Sequence, residues 1–161
     1  MLECLMVITS RIALLLAFLL GACSRPGATE KLPDINLPTV SAKPGPSLAS
    51  CPERKCLTVY VAPWCGYCRA ATPMLIALRR YLRQNQVETR FVVGKDRLAS
   101  LRDYARVFGP DTLLDVDDAF AVDGVPHFFV SDPHGAILKE VSGMPTGDYP
   151  LEEIAGYFGL P

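Results

Sequence analysis

The stretch CPERKCLTVYVAPWCGYC, residues 51–68, contains four of the six cysteines of this 161-residue chain. The run LTVYVA separates Cys56 from Cys65 and predicts a buried strand about 20 Å long. Four sulfurs that bind one tetrahedral ion lie within about 4 Å of one another. The spacing therefore argues against a four-cysteine metal site and indicates two pairs, Cys51 with Cys56 and Cys65 with Cys68.

Composition restricts the class of protein. Half of the residues are hydrophobic and the net charge is −1, which suits one globular domain with an additional segment. With no basic excess there is no electrostatic basis for binding nucleic acid or an anionic membrane surface. Six cysteines are many for a cytosolic protein of this size, so the chain is expected in an oxidising compartment.

The N-terminus predicts export. Arg11 precedes the nine apolar residues IALLLAFLL, a run shorter than the roughly 20 residues of a bilayer span, so residues 1–22 are expected to be a signal peptide. The tetrapeptide LGAC at 20–23 resembles the bacterial lipobox, which implies that Cys23 is lipidated and becomes the first mature residue. The protein is then expected on the periplasmic side of a bacterial membrane, with the choice of inner or outer membrane open.

The next segment predicts a linker. Residues 23–50 contain five prolines, scattered charge and no apolar periodicity, which is typical of a lipid-anchored, Pro-rich tether. The folded domain is accordingly expected at 51–161.

The order of periodic segments in that domain is βαβαββα. Strands are expected at 57–62 and 87–93, helices at 66–84 and from Asp96 to Phe108, a hairpin at 127–130 and 136–141, and a last helix at 150–158. This order predicts an α/β fold with a central mixed sheet flanked by helices.

The pair Cys65-Gly66-Tyr67-Cys68 lies where the first strand leads into the first helix. A helix N-terminus has free N–H groups and a positive dipole end, which favour a thiolate at Cys65, and Arg69 adds positive charge. Cys68 lies one turn into the helix, close enough to form a disulfide with Cys65. One sulfur can therefore attack and the other can resolve.

The stretch APWCGYC at 62–68, with Pro73 five residues after the second cysteine, resembles the active-site region of the thioredoxin superfamily. GVPHFF at 124–129 resembles the segment that carries the cis-proline of that family, and Gly143 matches a glycine after the last strand. The resemblance covers about residues 57–159 and implies the thioredoxin fold.

The resemblance also implies residue roles. Cys65 would attack a substrate disulfide, and Cys68 would resolve the mixed disulfide. Pro126 would be cis and would leave the Val125 backbone free to pair with an extended substrate, while Trp64 would shield one side of the site. No cofactor beyond the Cys65–Cys68 disulfide and no metal is expected.

Two positions depart from the thioredoxin pattern. Many thioredoxins have a buried aspartate six residues before the first cysteine, and this chain has Val59 there. Gly66 and Tyr67, between the cysteines, resemble the periplasmic disulfide isomerases rather than the Gly-Pro of cytosolic thioredoxins. The direction of exchange, reduction or oxidation, is therefore left open.

Cys51 and Cys56 flank PERK at the opposite end of the predicted strand. In an oxidising compartment they predict a structural disulfide, which contributes roughly 2 kcal/mol by the chain-entropy model. The alternative is a second redox pair that passes electrons to Cys65, which the length of the strand disfavours.

The predicted function is therefore a membrane-tethered thiol–disulfide oxidoreductase. Its expected partners are periplasmic protein thiols and disulfides and a membrane thiol protein that donates or accepts electrons. The alternatives are a copper-handling lipoprotein that uses Cys65, Cys68 and His127 as ligands, and a redox-inert adaptor. His127 is otherwise interpreted as a partly buried strand residue.

The acidic residues between the second helix and the third strand predict a solvated connection; they are Asp111, Asp115, Asp117, Asp118 and Asp123.

Overall fold

The structure is a computed structural model that describes residues 30–145 and 147–161. The predicted signal peptide and Cys23 therefore lie outside the described residues. The strands are β1 Asn36–Pro38, β2 Pro44–Ser47, β3 Cys56–Val61, β4 Glu88–Gly94, β5 Leu113–Asp115, β6 His127–Ser131 and β7 Ile137–Ser142. The helices are α1 Gly66–Gln84, α2 Leu98–Ala105 and α3 Leu151–Tyr157. Within this part of the chain, no helix is long and apolar enough to cross a bilayer.

Five strands form the central sheet in the order β5-β4-β3-β6-β7. Strands β3, β4 and β5 are parallel, and β6 and β7 run antiparallel to their neighbours. All six residues of β3 are buried, because it is the middle strand and both faces of the sheet are covered. The predicted α/β class with a mixed central sheet is confirmed.

The three helices cover one face of the sheet. Helix α1 buries Leu75, Leu78 and Leu82, which recur at helical spacing, in the larger of two apolar clusters. Helix α3 packs on the same face, where Phe158 stacks on Phe128 of β6 with ring centroids 4.7 Å apart. Burying a leucine side chain of this kind stabilises the fold by about 1.5–3 kcal/mol.

The opposite face is covered by residues 30–50, hereafter the N-terminal segment. Its strands β1 and β2 pair antiparallel, and Leu32, Leu37 and Leu48 are buried in the second apolar cluster. The expected flexible tether is therefore wrong for this part of the chain. Prolines and polar residues make up most of the segment, but single leucines along it pack against the sheet.

Arg90 of β4 holds the N-terminal segment in place. Its Nη1 donates to the carbonyls of Ser47 at 3.1 Å and Leu48 at 3.4 Å, and its Nη2 donates to the carbonyl of Ser50. The turn at Gly135 also lies against the segment, because a Cβ at that position would collide with the backbone of Ala49. The segment is thus part of the folded domain.

The acidic connection contains a strand that the sequence did not indicate. Asp115, the last residue of β5, is fully buried and accepts hydrogen bonds from the Tyr60 hydroxyl at 3.0 Å and from the N–H groups of Ala119 and Phe120. Burial raises the pKa of Tyr60, and the charge of Asp115 raises it further. The expectation of a solvated connection is therefore wrong for Asp115, which is a structural anchor. Gly94 makes room for this pair, since a Cβ there would overlap the Tyr60 hydroxyl.

Helix α2 begins and ends differently from the prediction. Asp96 is not the N-cap residue. That position is Arg97, whose side chain makes no capping hydrogen bond, and the Asp96 carboxylate accepts a hydrogen bond from the Arg97 N–H at 2.7 Å. The helix ends at Ala105, and Phe108 lies beyond it in a turn where it stacks on Phe91.

Candidate active site

Cys65 is the N-cap of α1, at the end where β3 delivers the chain to the helix. Its Sγ accepts a hydrogen bond from the Cys68 N–H at 3.0 Å, which satisfies one of the free donors of the first turn. No acidic residue lies in that turn, so nothing there neutralises the positive end of the helix dipole. Cys65 and Cys68 form a disulfide with a Cα–Cα distance of 5.2 Å.

The two cysteines differ in exposure. Cys68 is fully buried, whereas Cys65 keeps 5% of its surface accessible. Two aromatic residues of this stretch are exposed: Trp64, before Cys65, is 58% accessible, and Tyr67, between the cysteines, is 79% accessible. Trp64 is held by a hydrogen bond of 2.8 Å from its Nε1 to the Lys95 carbonyl. An incoming group therefore meets Cys65 before Cys68, with two exposed aromatic side chains nearby in the chain.

A cis peptide bond faces the disulfide. The Val125–Pro126 bond is cis, and the Val125 carbonyl oxygen lies 3.6 Å from the Cys65 Sγ. The Pro126 carbonyl accepts the Gly143 N–H at 2.8 Å, and Gly143 has a positive φ of 87° that favours glycine. These contacts fix the loop before β6 directly against the Cys65 sulfur.

Polar groups beneath the site were missed by sequence reasoning. The Thr72 hydroxyl donates to the Cys68 carbonyl at 2.9 Å and lies 3.0 Å from the Tyr104 hydroxyl. Burial raises the pKa of Tyr104, although its contact with Thr72 opposes the shift. Thr72 follows Cys68 by one helical turn, which is the signal that could have identified it. The position six residues before Cys65 is Val59, which is fully buried and has no carboxylate.

Arg69 lies alongside the loop before the site. Its Nη1 donates to the Pro63 carbonyl at 3.1 Å, so the guanidinium turns back toward the segment that carries Cys65. Gly66 has open space where a Cβ would stand, so the site does not depend on glycine there for lack of room.

The second cysteine pair lies at the other end of β3. Cys51 and Cys56 form a disulfide with a Cα–Cα distance of 5.8 Å. Cys56 is the first residue of β3, while Cys65 follows the last residue of that strand. The six-residue strand separates the two disulfides by about 20 Å.

His127 does not join the cysteines. Its ring stacks on Phe129, on the face of the sheet that the N-terminal segment covers, with centroids 4.5 Å apart. Its Nε2 lies 2.7 Å from the Glu140 Oε1. The structure therefore does not assemble the copper ligand set of Cys65, Cys68 and His127. Among residues 30–145 and 147–161, no cluster of three or more potential ligands could hold a metal ion.

Several solved structures with this architecture are of proteins described as a disulfide oxidoreductase, a lipoprotein thioredoxin and a thiol:disulfide interchange protein. A secreted disulfide oxidoreductase of Mycobacterium tuberculosis is 17% identical, with a TM-score of 0.61 over 78% of this chain and 95% of that one. An exposed lipoprotein thioredoxin of Streptococcus pneumoniae is 18% identical, with a TM-score of 0.61 over 77% and 99% of the two chains. A thiol:disulfide interchange protein of Chlorobium tepidum is 18% identical, with a TM-score of 0.61 over 83% and 99%.

No protein-family model matches the sequence, and no curated protein matches it. At these identities the structural likeness shows the fold, and this chain has the thioredoxin fold.

Proposed function

We propose that this chain is a thiol–disulfide oxidoreductase that exchanges disulfides with protein substrates through Cys65 and Cys68. The observation that carries the proposal is the position of the Cys65 sulfur, at the N-terminus of α1 and 3.6 Å from the carbonyl that precedes a cis-proline. The helix end stabilises a thiolate, and the cis-proline loop offers backbone groups to an extended chain beside it.

In the reducing direction, the Cys65 thiolate attacks one sulfur of a substrate disulfide. A Cys65–substrate bond forms, the substrate bond breaks, and the other substrate sulfur leaves as a thiolate. Cys68, after losing its proton, attacks the Cys65 sulfur, which releases the second substrate thiolate and forms the Cys65–Cys68 disulfide. Two electrons pass to the substrate. Oxidation of a substrate dithiol follows the same steps in reverse.

The neighbouring groups have separate roles in this scheme. The burial of Cys68 keeps it from attacking substrate directly, so it acts only on the Cys65 mixed disulfide. Because Val59 supplies no carboxylate, the Cys68 proton leaves through water or through a hydroxyl such as that of Thr72. The exposed Trp64 and Tyr67 offer apolar surface to the substrate chain next to the cysteines.

The setting of this activity is also part of the proposal. A signal peptide over residues 1–22 and lipid on Cys23 would hold the domain at the periplasmic side of a bacterial membrane, where disulfides persist. The partners would be periplasmic protein thiols and disulfides, together with a membrane thiol protein that renews the active form. The Streptococcus pneumoniae protein of the same fold is an exposed lipoprotein, which supports a tethered arrangement.

The test is catalysed reduction of insulin by dithiothreitol. The unaltered chain should shorten the lag before insulin precipitates, and Cys65→Ser and Cys68→Ser should each abolish that effect. The matched control replaces Cys51 and Cys56 with alanine, which should lower the melting temperature and leave the turnover in place. Unchanged turnover in Cys65→Ser would overturn the proposal.

A further inference from the structure

Arg90 is a buried cation next to the Cys51–Cys56 disulfide. Only 7% of its surface is accessible, and its Nη2 lies 3.5 Å from the Cys56 Sγ. Cys56 and Arg90 lie on neighbouring parallel strands with side chains on the same face of the sheet, beneath the N-terminal segment. The sulfur and the guanidinium are therefore brought together by strand register and not by a mobile loop.

The guanidinium of Arg90 has no acidic partner within ion-pair distance among the described residues. Its hydrogen bonds go to the carbonyls of Ser47, Leu48 and Ser50, which carry no net charge. Burial lowers the pKa of Arg90, and the charge of Glu88 on the same strand raises it. A buried cation without a counter-ion is costly, so an anion formed beside it is stabilised. A thiolate at Cys56 would be that anion.

The two cysteines of this disulfide differ in exposure. Cys51 is 8% accessible and lines a cavity of about 320 Å³, whereas Cys56 is fully buried. Pro46 and Pro52 form part of the cavity wall. A thiol that enters the cavity can reach Cys51 while Cys56 stays next to Arg90. The asymmetry matches that of an exchange site, in which one sulfur is attacked and the other leaves.

We propose that Cys51–Cys56 is a second thiol–disulfide exchange site that accepts electrons from a dithiol. A thiolate of the dithiol attacks the Cys51 sulfur, a mixed disulfide forms, and the Cys51–Cys56 bond breaks with Cys56 leaving as a thiolate beside Arg90. The second thiol of the dithiol then loses its proton and attacks the other dithiol sulfur, the one bonded to Cys51, which releases the Cys51 thiolate. The dithiol becomes a disulfide, Cys51 takes a proton, and two electrons have passed to the pair.

This site works independently of Cys65 and Cys68. The two disulfides lie at opposite ends of β3, about 20 Å apart, so they cannot exchange directly within one molecule. Reduction also alters how the N-terminal segment is held, because the guanidinium that would pair with the Cys56 thiolate also bonds to the Ser47, Leu48 and Ser50 carbonyls. The redox state of the pair is thereby coupled to the packing of residues 30–50.

The test uses the full chain with Cys65→Ser and Cys68→Ser, so that the active-site cysteines do not contribute. The chain is equilibrated in glutathione buffers of graded ratio, quenched with an alkylating reagent and analysed by peptide mass spectrometry. We expect the Cys51–Cys56 pair to be reduced while circular dichroism still reports a folded protein. Arg90→Met should shift the equilibrium toward the disulfide by about tenfold, the order expected for one charge-assisted hydrogen bond.

Two variants control for the loss of an arginine. Arg90→Lys keeps the charge, so its equilibrium should lie close to that of the chain with Arg90. Arg102→Met removes an exposed arginine and should leave the equilibrium unchanged. A second measurement does not depend on Arg90: early in the reduction, the glutathione adduct should lie on Cys51. An adduct on Cys56, an equilibrium that Arg90→Met leaves unchanged, or a disulfide that is reduced only as the protein unfolds would each overturn the proposal.

Discussion

Leu48→Ala tests whether the N-terminal segment is part of the folded domain. Leu48 is completely buried in the second apolar cluster, and its N–H donates to the Ile35 carbonyl at 3.0 Å. Truncating a fully buried leucine costs about 2–5 kcal/mol, because the lost transfer energy is joined by a cavity that the surroundings only partly fill. Since the segment is irregular and lies at the surface, some relaxation is expected, and we take about 3 kcal/mol.

For a domain of this size, 1 kcal/mol corresponds to roughly 3–5 °C in melting temperature, so the expected loss is about 10 °C. The assay is thermal unfolding followed by circular dichroism, with both disulfides intact. The matched control is Leu138→Ala, the same truncation at a β7 residue that is 53% accessible, which should change stability by no more than about 0.5 kcal/mol. Equal melting temperatures for the two variants would refute the packing described for residues 30–50.

Other predictions concern an ion pair and the N-terminus. Burial raises the pKa of Asp111, but the hydrogen bond and charge of Arg79 outweigh it, so the pKa lies below its ordinary value. Asp111→Asn should therefore cost up to about 1 kcal/mol in urea unfolding above about pH 4, and the difference from the unaltered chain should vanish as the pH falls through the folded pKa. Cys23→Ser should abolish incorporation of labelled fatty acid and release the protein from the membrane fraction, and continued membrane association would count against the proposed anchor.

The sequence was sufficient for those parts of the fold that depend on local periodicity. The predicted helix at 66–84 coincides with α1, because apolar residues at helical spacing face the sheet, and the helix continues through Pro73. The position of the Cys65–Cys68 pair followed from the strand-to-helix junction alone. Local pattern determined these features, so a single sequence revealed them.

Other features depend on contacts between residues far apart in the chain. The leucines of residues 30–50 do not recur at helical or strand spacing, because Arg90 and the sheet hold the segment and its own secondary structure does not. Asp115 could not be distinguished from its acidic neighbours until its partner Tyr60, 55 residues earlier, was known. The contact between Thr72 and Tyr104 is of the same kind, since it joins two helices.

The most direct test of the central claim is to trap the exchange intermediate on the chain. A variant with Cys68→Ser, in which Cys51 and Cys56 are also replaced by alanine, is reduced and mixed with a substrate disulfide, and the product is mapped by mass spectrometry. We expect a stable mixed disulfide between Cys65 and the substrate, and none when Cys65 is replaced by serine instead of Cys68. Failure to form an adduct at Cys65 in the folded protein would contradict it.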